Sequence, residues 1–338
     1  MSSADVILEV RGLSTSFATP AGVVKAVNDL SFSLHRGETL AIVGESGCGK
    51  SVTSFSLMRL LASQASITGE AWLSGRDGKK LDLLALSGTE MESVRGKQLG
   101  MIFQEPMTSL NPLHRLGDQI GESMIKHGLC SVAEASGRAI DLLKLVGISA
   151  PELRARQYPH QISGGMRQRV MIAIALACKP QVLIADEPTT ALDVTIQAQI
   201  LRLIRRLQRE VGMGVLFITH DMAVVAQVAD RVAVMYGGQL VETADTRSLF
   251  KSPRHPYTRG LLASVPNPKL PGRLYGIPGQ VETVYGDHIG CRFANRCSMA
   301  QDICRSERPG LSQFPQAQFV RCHFADFADF ADQMVDPK

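Results

Sequence analysis

Gly44, Gly49, Lys50 and Ser51 stand at the spacing G-x4-G-K-S in the segment GESGCGKS, which runs from Gly44 through Glu45, Ser46, Gly47 and Cys48 to Ser51. Glycines let a backbone bend closely around an anion, and the N–H groups of such a loop and of the helix it opens point inward at phosphate. Lys50 is placed to neutralise the β- and γ-phosphates of a nucleotide, and Ser51 to put its hydroxyl on Mg2+. A chance glycine-rich turn would lack the flanking context, an apolar strand before the loop and a helix after it; both are present here.

Two further segments carry complementary chemistry. VLIADEP, Val182 to Pro188, ends an apolar run in Asp186 and Glu187, and the carboxyl end of a buried parallel strand is where open α/β sheets bind ligands. Asp186 suits Mg2+, held through water, and Glu187 suits a general base that activates or orients an attacking water. A pair of merely solvated carboxylates would not account for Pro188 stopping the strand at once. In ISGGMRQR, Ser163-Gly164-Gly165 precedes Met166 to Ala177, which reads as a helix, so backbone amides and the positive helix end can face an anion.

The surrounding elements must hold these groups. Ile7 to Phe17 and Val23 to Leu34 read as strands, Leu40 to Val43 as a buried strand feeding the loop, and Val52 to Leu61 as the helix after it. Val182 to Ala185 and Val215 to Thr219 are short, apolar and rich in β-branched residues, as parallel strands covered on both faces are. A mostly parallel α/β core follows. Between about Met107 and Cys178 the composition favours helix, with breaks at Pro112, Gly128, Gly147 and Pro159, and reads as a helical insertion.

Bulk properties narrow the class. The chain has 338 residues, 45% hydrophobic and 20% charged, with a formal charge of +4 and no long Lys/Arg run. That disfavours disorder and direct nucleic-acid binding. The longest strongly apolar run, Val170 to Cys178, falls far short of the roughly 20 residues that cross a bilayer, and MSSADVILEVRG lacks the features of a signal peptide. A cytosolic protein is expected, with any membrane role supplied through a partner.

Taken together, the three segments resemble those of ABC (ATP-binding cassette) ATPases. The resemblance implies an α/β P-loop domain with a RecA-like, mostly parallel core, an N-terminal antiparallel β subdomain and the inserted helical subdomain, over residues 1–248. It implies a switch histidine at His220, contacting γ-phosphate, and a glutamine loop at Gln104 that senses Mg2+ and γ-phosphate while facing the membrane partner. Phe17 is assigned to stacking on adenine, although an aromatic near a strand end is also a routine core residue. Ser163, Gly164 and Gly165 would complete the nucleotide site of a second subunit, so that two cassettes sandwich two ATP molecules. The family usually reads LSGGQ where this chain reads ISGGM, and Met166 has no side-chain amide to offer. Asp193, in TTALD, matches the loop that couples the two sites.

Beyond about Ser248 the texture changes. Prolines at 253, 256, 266, 268, 271 and 278 precede Cys291, Cys297, Cys304 and Cys322, while Cys48, Cys130 and Cys178 are scattered. The segment from Ser252 to Pro266 is similar to the C-terminal extension of oligopeptide and dipeptide importer ATPases, so residues 249–338 read as a small cysteine-bearing module. Members of that group energise two membrane permease subunits fed by an extracytoplasmic binding protein, usually with a second, different ATPase subunit, from the cytoplasmic face of the inner membrane. Disulfides are disfavoured in a cytosolic chain, and the spacing lacks the C-x2-C pairs of structural zinc sites. Four thiolates can hold a [4Fe-4S] cluster, which some members of the group carry; zinc and reduced free thiols are the alternatives. The terminal FADFADFADQMVDPK repeats a triplet and reads as a frayed acidic tail. A soluble ABC ATPase of nucleic-acid or ribosome metabolism, or a redox-responsive regulatory ATPase, is the competing function. Those of the first kind usually pair two cassettes in one chain or insert long coiled coils, and this sequence has one cassette and no sustained heptads.

Overall fold

Two 14-residue strands, β1 (Val6–Thr19) and β2 (Gly22–His35), bury Leu8, Val10, Leu13 and Thr15 from the first and Val27, Leu30 and Leu34 from the second, with the alternation interrupted at left-handed Gly12 and Asp29. The two-residue turn at Pro20 and Ala21 makes the pair antiparallel. The structure is a computed structural model and describes residues 6–75, 78–105, 109–190, 192–265 and 276–326. Met107 at the insertion boundary, the prolines at 266, 268 and 271, Ala191 of TTALD and the tail from residue 327 lie outside the described residues.

Every residue of β3 (Thr39–Val43) is buried, as expected of a strand covered on both faces. Helix α1 (Lys50–Met58) follows the loop and stops short of the predicted Leu61. Arg59 takes a left-handed φ of 50°, and its N–H closes the last turn onto the Phe55 and Ser56 carbonyls. Strands β4 (Ala65–Ser74) and β5 (Lys80–Asp82) lead to α2 (Gly88–Val94) and β6 (Leu99–Ile102). The helical insertion comprises α3 (Leu116–Lys126), α4 (Val132–Leu145), α5 (Pro151–Ala155) and α6 (Gly164–Leu176). Its breaks lie where composition put them, with Gly128 and Gly147 at φ 66° and 75° beyond α3 and α4. The remaining elements alternate: β7 (Val182–Asp186), α7 (Val194–Val211), β8 (Gly214–Thr219), α8 (Met222–Val228), β9 (Arg231–Tyr236) and β10 (Gln239–Asp245). The C-terminal segment adds α9 (Thr246–Lys251), α10 (Pro256–Ala263), α11 (Asp302–Ser306), β11 (Ser312–Phe314) and β12 (Gln318–Val320).

The chain divides into two compact units. One consists of the described residues within 6–9, 33–39 and 72–218. Within it β6, β7 and β8 run parallel, with Leu99 opposite Val182 and Val182 opposite Gly214. Helix α3 packs on α4, and both pack on α5 and α6.

The second unit consists, among the described residues, of 10–32, 40–71, 219–265 and 276–326. Here β3 runs parallel to β9, which pairs antiparallel with β10; β12 and then β11 continue that sheet antiparallel. The segment beyond Ser248 thus contributes two strands to it. Tyr257 and Phe293 from that segment also enter a core with Val43, Val234 and Tyr236. Their rings meet Tyr236 at 4.8 and 5.0 Å in edge-on geometry, the arrangement that ring quadrupoles favour.

Glu242 on β10 is fully buried, a costly place for a carboxylate unless it is bonded. It accepts from the N–H groups of Arg254 at 2.8 Å and His255 at 2.9 Å, and from Gln318 Nε2 at 2.6 Å. His255, buried in the same turn, caps α10 by accepting the Tyr257 N–H at Nδ1, 3.1 Å away. Burial, assisted by the nearby Arg259 charge, pushes the His255 pKa from 6.5 down to about 3. The unfolded chain therefore takes up a proton near pH 6.5 that the folded chain refuses until about pH 3. Stability from this group is complete above 6.5 and falls on acidification, by up to about 1.4 kcal/mol per pH unit. The thermal midpoint should drop between pH 7 and pH 5. His255→Asn, which keeps a cap acceptor without a titrating ring, should flatten that drop; an equally steep profile would refute the assignment.

Candidate functional site

In the unit that carries the loop, Gly44 to Ser51 connects β3 to α1. Gly49 caps α1 at φ 101°, and a Cβ there would run into the Ala26 carbonyl oxygen. The position demands glycine on both counts. Lys50 is 5% exposed and donates to the Gly44 and Glu45 carbonyls at 2.7 and 3.0 Å. The loop is clasped from β9–β10 as well: the Gly238 N–H donates to the Cys48 carbonyl, and the Gly238 carbonyl accepts from the Asn28 N–H, both at 2.8 Å. Cys48 lies beneath the loop, and burial raises its thiol pKa despite the Lys50 charge, so it is a packing residue here and not a reactive thiolate. Ser46 and Gly47 are exposed, and Ser51 is half-buried in the first turn of α1. Phe17 is half-buried near the end of β1, and His220 is exposed directly after β8.

In the other unit, register brings two of the sequence candidates together. Ile102 stands opposite Ala185, and Gln104 and Glu187 each follow two residues later. Gln104 Nε2 donates to Glu187 Oε2 at 3.3 Å, and Thr190 Oγ1 donates to the same oxygen at 2.8 Å. Asp186 is buried, 1% exposed, at the end of β7. Glu187 turns the chain away with a left-handed φ of 47°, its N–H bonded to the Ile218 carbonyl at 2.9 Å. Such a backbone costs about 1–3 kcal/mol in a non-glycine residue and clusters at functional positions.

Ser163 caps α6, accepting the Met166 N–H at Oγ, so exposed Gly164 and half-buried Gly165 open its first turn. Gly165 lies close to α7: a Cβ there would stand 3.3 Å from Ile196. Asp193 caps α7 by accepting the Ile196 N–H at 3.0 Å. A residue missed by sequence reading, Gln168, is buried and donates from Nε2 to the Pro188 carbonyl at 2.5 Å. It ties α6 to the turn that carries Glu187. Its position two residues after Met166, inside an apolar helix, was the available signal.

Cys291, Cys297, Cys304 and Cys322 line one cavity together with His255 and Phe293. Burial raises the thiol pKa of Cys291, and pushes those of Cys297 and Cys322 up to about 11 each. Backbone N–H groups nonetheless point at sulfur, those of Phe293 and Ala294 at Cys291 and that of Phe324 at Cys322, 3.4 Å away. Among the described residues, no group of three or more His, Cys, Asp or Glu side chains is placed to hold a single metal ion. Two other residues missed by sequence reading, Tyr257 and Arg296, both bond Glu45 of the loop; the run HPYT and the Arg-Cys pair inside the cysteine segment were the only hints.

Residues 27–190 match the ABC transporter family, and residues 241–304 match the C-terminal region of oligopeptide/dipeptide transporters. The chain is 50% identical over 322 residues to the dipeptide transport ATP-binding protein DppD of Bacillus subtilis strain 168, covering 95% of each. It is 48% identical over 320 residues to the oligopeptide transport ATP-binding protein OppD of Escherichia coli K12, covering 94% of this chain and 93% of that one. The chain belongs to the ABC transporter ATP-binding proteins. Its fold matches a dimeric ATP-binding cassette solved in a post-hydrolysis state with ADP and Pi, at a TM-score of 0.63 and 27% identity over 71% of this chain and 99% of that one. This ABC protein is accordingly an ATPase that works with Mg2+, the ATP-hydrolysing subunit of an importer. No helix among the described residues is long and apolar enough to cross a membrane. As an importer ATPase of this family, the chain has membrane permease subunits and a solute-binding protein as its transport partners.

Replacing Gly49 by alanine adds a methyl group where the Ala26 carbonyl lies and forces a strained φ. Gly49→Ala should lose ATP binding while keeping its far-ultraviolet circular dichroism, and near-normal affinity would contradict the geometry described.

Proposed function

We propose that this ATPase drives uptake of dipeptides or oligopeptides, working as one of two cassettes that close around two ATP molecules at the cytoplasmic face of the inner membrane. The observation that carries the catalytic part is the convergence of Gln104 and Thr190 on one oxygen of Glu187. Those two donors fix the orientation of the carboxylate, and Glu187 itself sits in a left-handed turn directly after β7. Glu187 then accepts a proton from water as the water oxygen bonds to the γ-phosphorus; the bond from that phosphorus to the β–γ bridging oxygen breaks, leaving ADP and phosphate. Lys50 and the loop amides bind the β- and γ-phosphates, and Asp186 and Ser51 would hold Mg2+, which supplies charge neutralisation and alignment of the phosphates. His220 and Gln104 sense the γ-phosphate, and Phe17 stacks on the base.

Ser163, Gly164 and Gly165 serve the nucleotide of the second subunit, a different ATPase chain. The N-terminal end of α6 is an anion-facing surface, and the Gln168 bond to Pro188 links it to the turn of its own Glu187. Asp193, which caps α7 after that turn, belongs to the loop that couples the two sites of the dimer. Because the γ-phosphate is bound by both half-sites, it favours the closed dimer over the open one by its differential affinity, and hydrolysis removes that preference. Relatives named for dipeptide and oligopeptide transport, and the match at residues 241–304, support the solute class.

Glu187→Gln should bind ATP as the native chain does and turn over slower by about 10² to 10⁴, and ATP should then drive a stable dimer of the two ATPase chains in size-exclusion chromatography. Normal turnover in this variant would refute the assigned base.

The four cysteines suit a [4Fe-4S] cluster. They share a cavity, and backbone N–H groups aim at the sulfurs of Cys291 and Cys322, the environment that stabilises thiolate ligands. Burial makes the free thiols reluctant to ionise, and metal charge reverses that preference. When bound, the cluster supplies cross-links among Cys291, Cys297, Cys304 and Cys322 and a one-electron redox couple. Protein purified without oxygen should be brown and contain about four iron and four sulfide per chain. Colourless, iron-free protein prepared that way would overturn this, with stoichiometric zinc or four titratable thiols identifying the alternatives.

A further inference from the structure

Glu45, the second residue of the phosphate loop, is held by the C-terminal segment through both its backbone and its side chain. Its N–H donates to the Tyr257 hydroxyl at 2.8 Å. Its carboxylate accepts two N–H bonds from the Arg296 guanidinium, at 2.6 and 2.9 Å. A bidentate pair of this kind is both strong and directional. The Arg296 side chain is 4% exposed and that of Glu45 31%, so the contact is shielded from the screening that weakens surface ion pairs.

Each clamp is itself fixed. Arg296 also donates to the Pro278 carbonyl at 2.7 Å and to those of Ile277 and Gly279 at 3.2 Å, and its guanidinium lies 5.7 Å from the centre of the Tyr236 ring. Tyr257 is buried against Tyr236 and Phe293. Neither side chain has freedom to follow Glu45 elsewhere, so Glu45 and the loop must conform to them. The charge matters too. Glu45 brings a carboxylate next to the loop carbonyls that Lys50 bonds, where a triphosphate is to bind, and an uncompensated negative charge there opposes the ligand.

We propose that Arg296 and Tyr257 are positioning residues for ATP binding, presetting the loop through Glu45, with Arg296 cancelling the Glu45 charge that would otherwise repel the phosphates. Both act through Glu45. This rests on the reading of Gly44 to Ser51 as the nucleotide loop.

Binding of a fluorescent ATP analogue with Mg2+ to the full chain tests both. Lys50→Ala should abolish binding; binding retained there would overturn the loop reading and this proposal together. With that control satisfied, Arg296→Met and Tyr257→Phe should each weaken binding about tenfold. The KM for ATP should rise by the same factor while kcat stays within about twofold. In a Glu45→Gln background, where no charge is left to cancel, Arg296→Met should cost less than about twofold. Unchanged affinity in Arg296→Met, or the same loss in both backgrounds, would overturn the proposal. Should Arg296→Met fail to fold, Arg296→Lys takes its place: charge without the fork should give an intermediate loss, and native affinity in both Arg296→Lys and Tyr257→Phe would overturn it equally.

Discussion

Strands buried on both faces can carry no polar side chain until they end. β3, β6, β7 and β8 are apolar and buried almost throughout, and each meets its first chemically useful residue only at its carboxyl end: Gly44 after β3, Gln104 after β6, Asp186 and Glu187 at β7, His220 after β8. Covering a parallel sheet with helices thus does two things at once. It excludes water from the strands and drives the polar groups of each strand to its carboxyl end. Where register is shown, the consequence is metric: pairing Ile102 with Ala185 leaves equal overhangs, and equal overhangs put Gln104 against Glu187.

The phosphate loop illustrates how a local conformation is held by distant parts of the chain. Its glycines permit the path, but permission is not rigidity, because glycine also has the most freedom to lose on folding. Rigidity comes from bonds that enter from outside: Gly238 to Cys48, Tyr257 to the Glu45 amide, and Arg296 to the Glu45 carboxylate. Two of these three come from the segment beyond residue 248. That segment is therefore structural support for the loop Gly44–Ser51, whatever else its cysteines do.

Three groups buried in the C-terminal region are bonded in a connected way. Glu242 accepts from the backbone that opens α10, His255 caps that helix, and the helix presents Tyr257 to the loop. Leaving any one of these groups unbonded would cost about 1–3 kcal/mol, which binds strand β10, helix α10 and the phosphate loop into one cooperative arrangement. Phe293 extends it to the wall of the cysteine cavity, since its ring meets both Tyr236 and Tyr257.

The sequence alone determined those features that need only neighbouring residues: the loop spacing, the acidic end of β7, the capped start of α6, the apolar strands and the glycine breaks among the helices. Each follows from local backbone chemistry or a period of two or 3.6, and each lies within two or three residues of where it was expected. The helix after the loop was over-extended because nothing in its composition announces that Arg59 turns left-handed. Tertiary structure decided the contacts between remote residues. Gln104 meets Glu187 across 83 positions, Tyr257 reaches Glu45 across 212 and Arg296 across 251, and four cysteines spread over 32 residues open onto one cavity. No periodicity encodes such pairs, because they are fixed by strand register and by which side chains fill the same core, and those are properties of the folded whole.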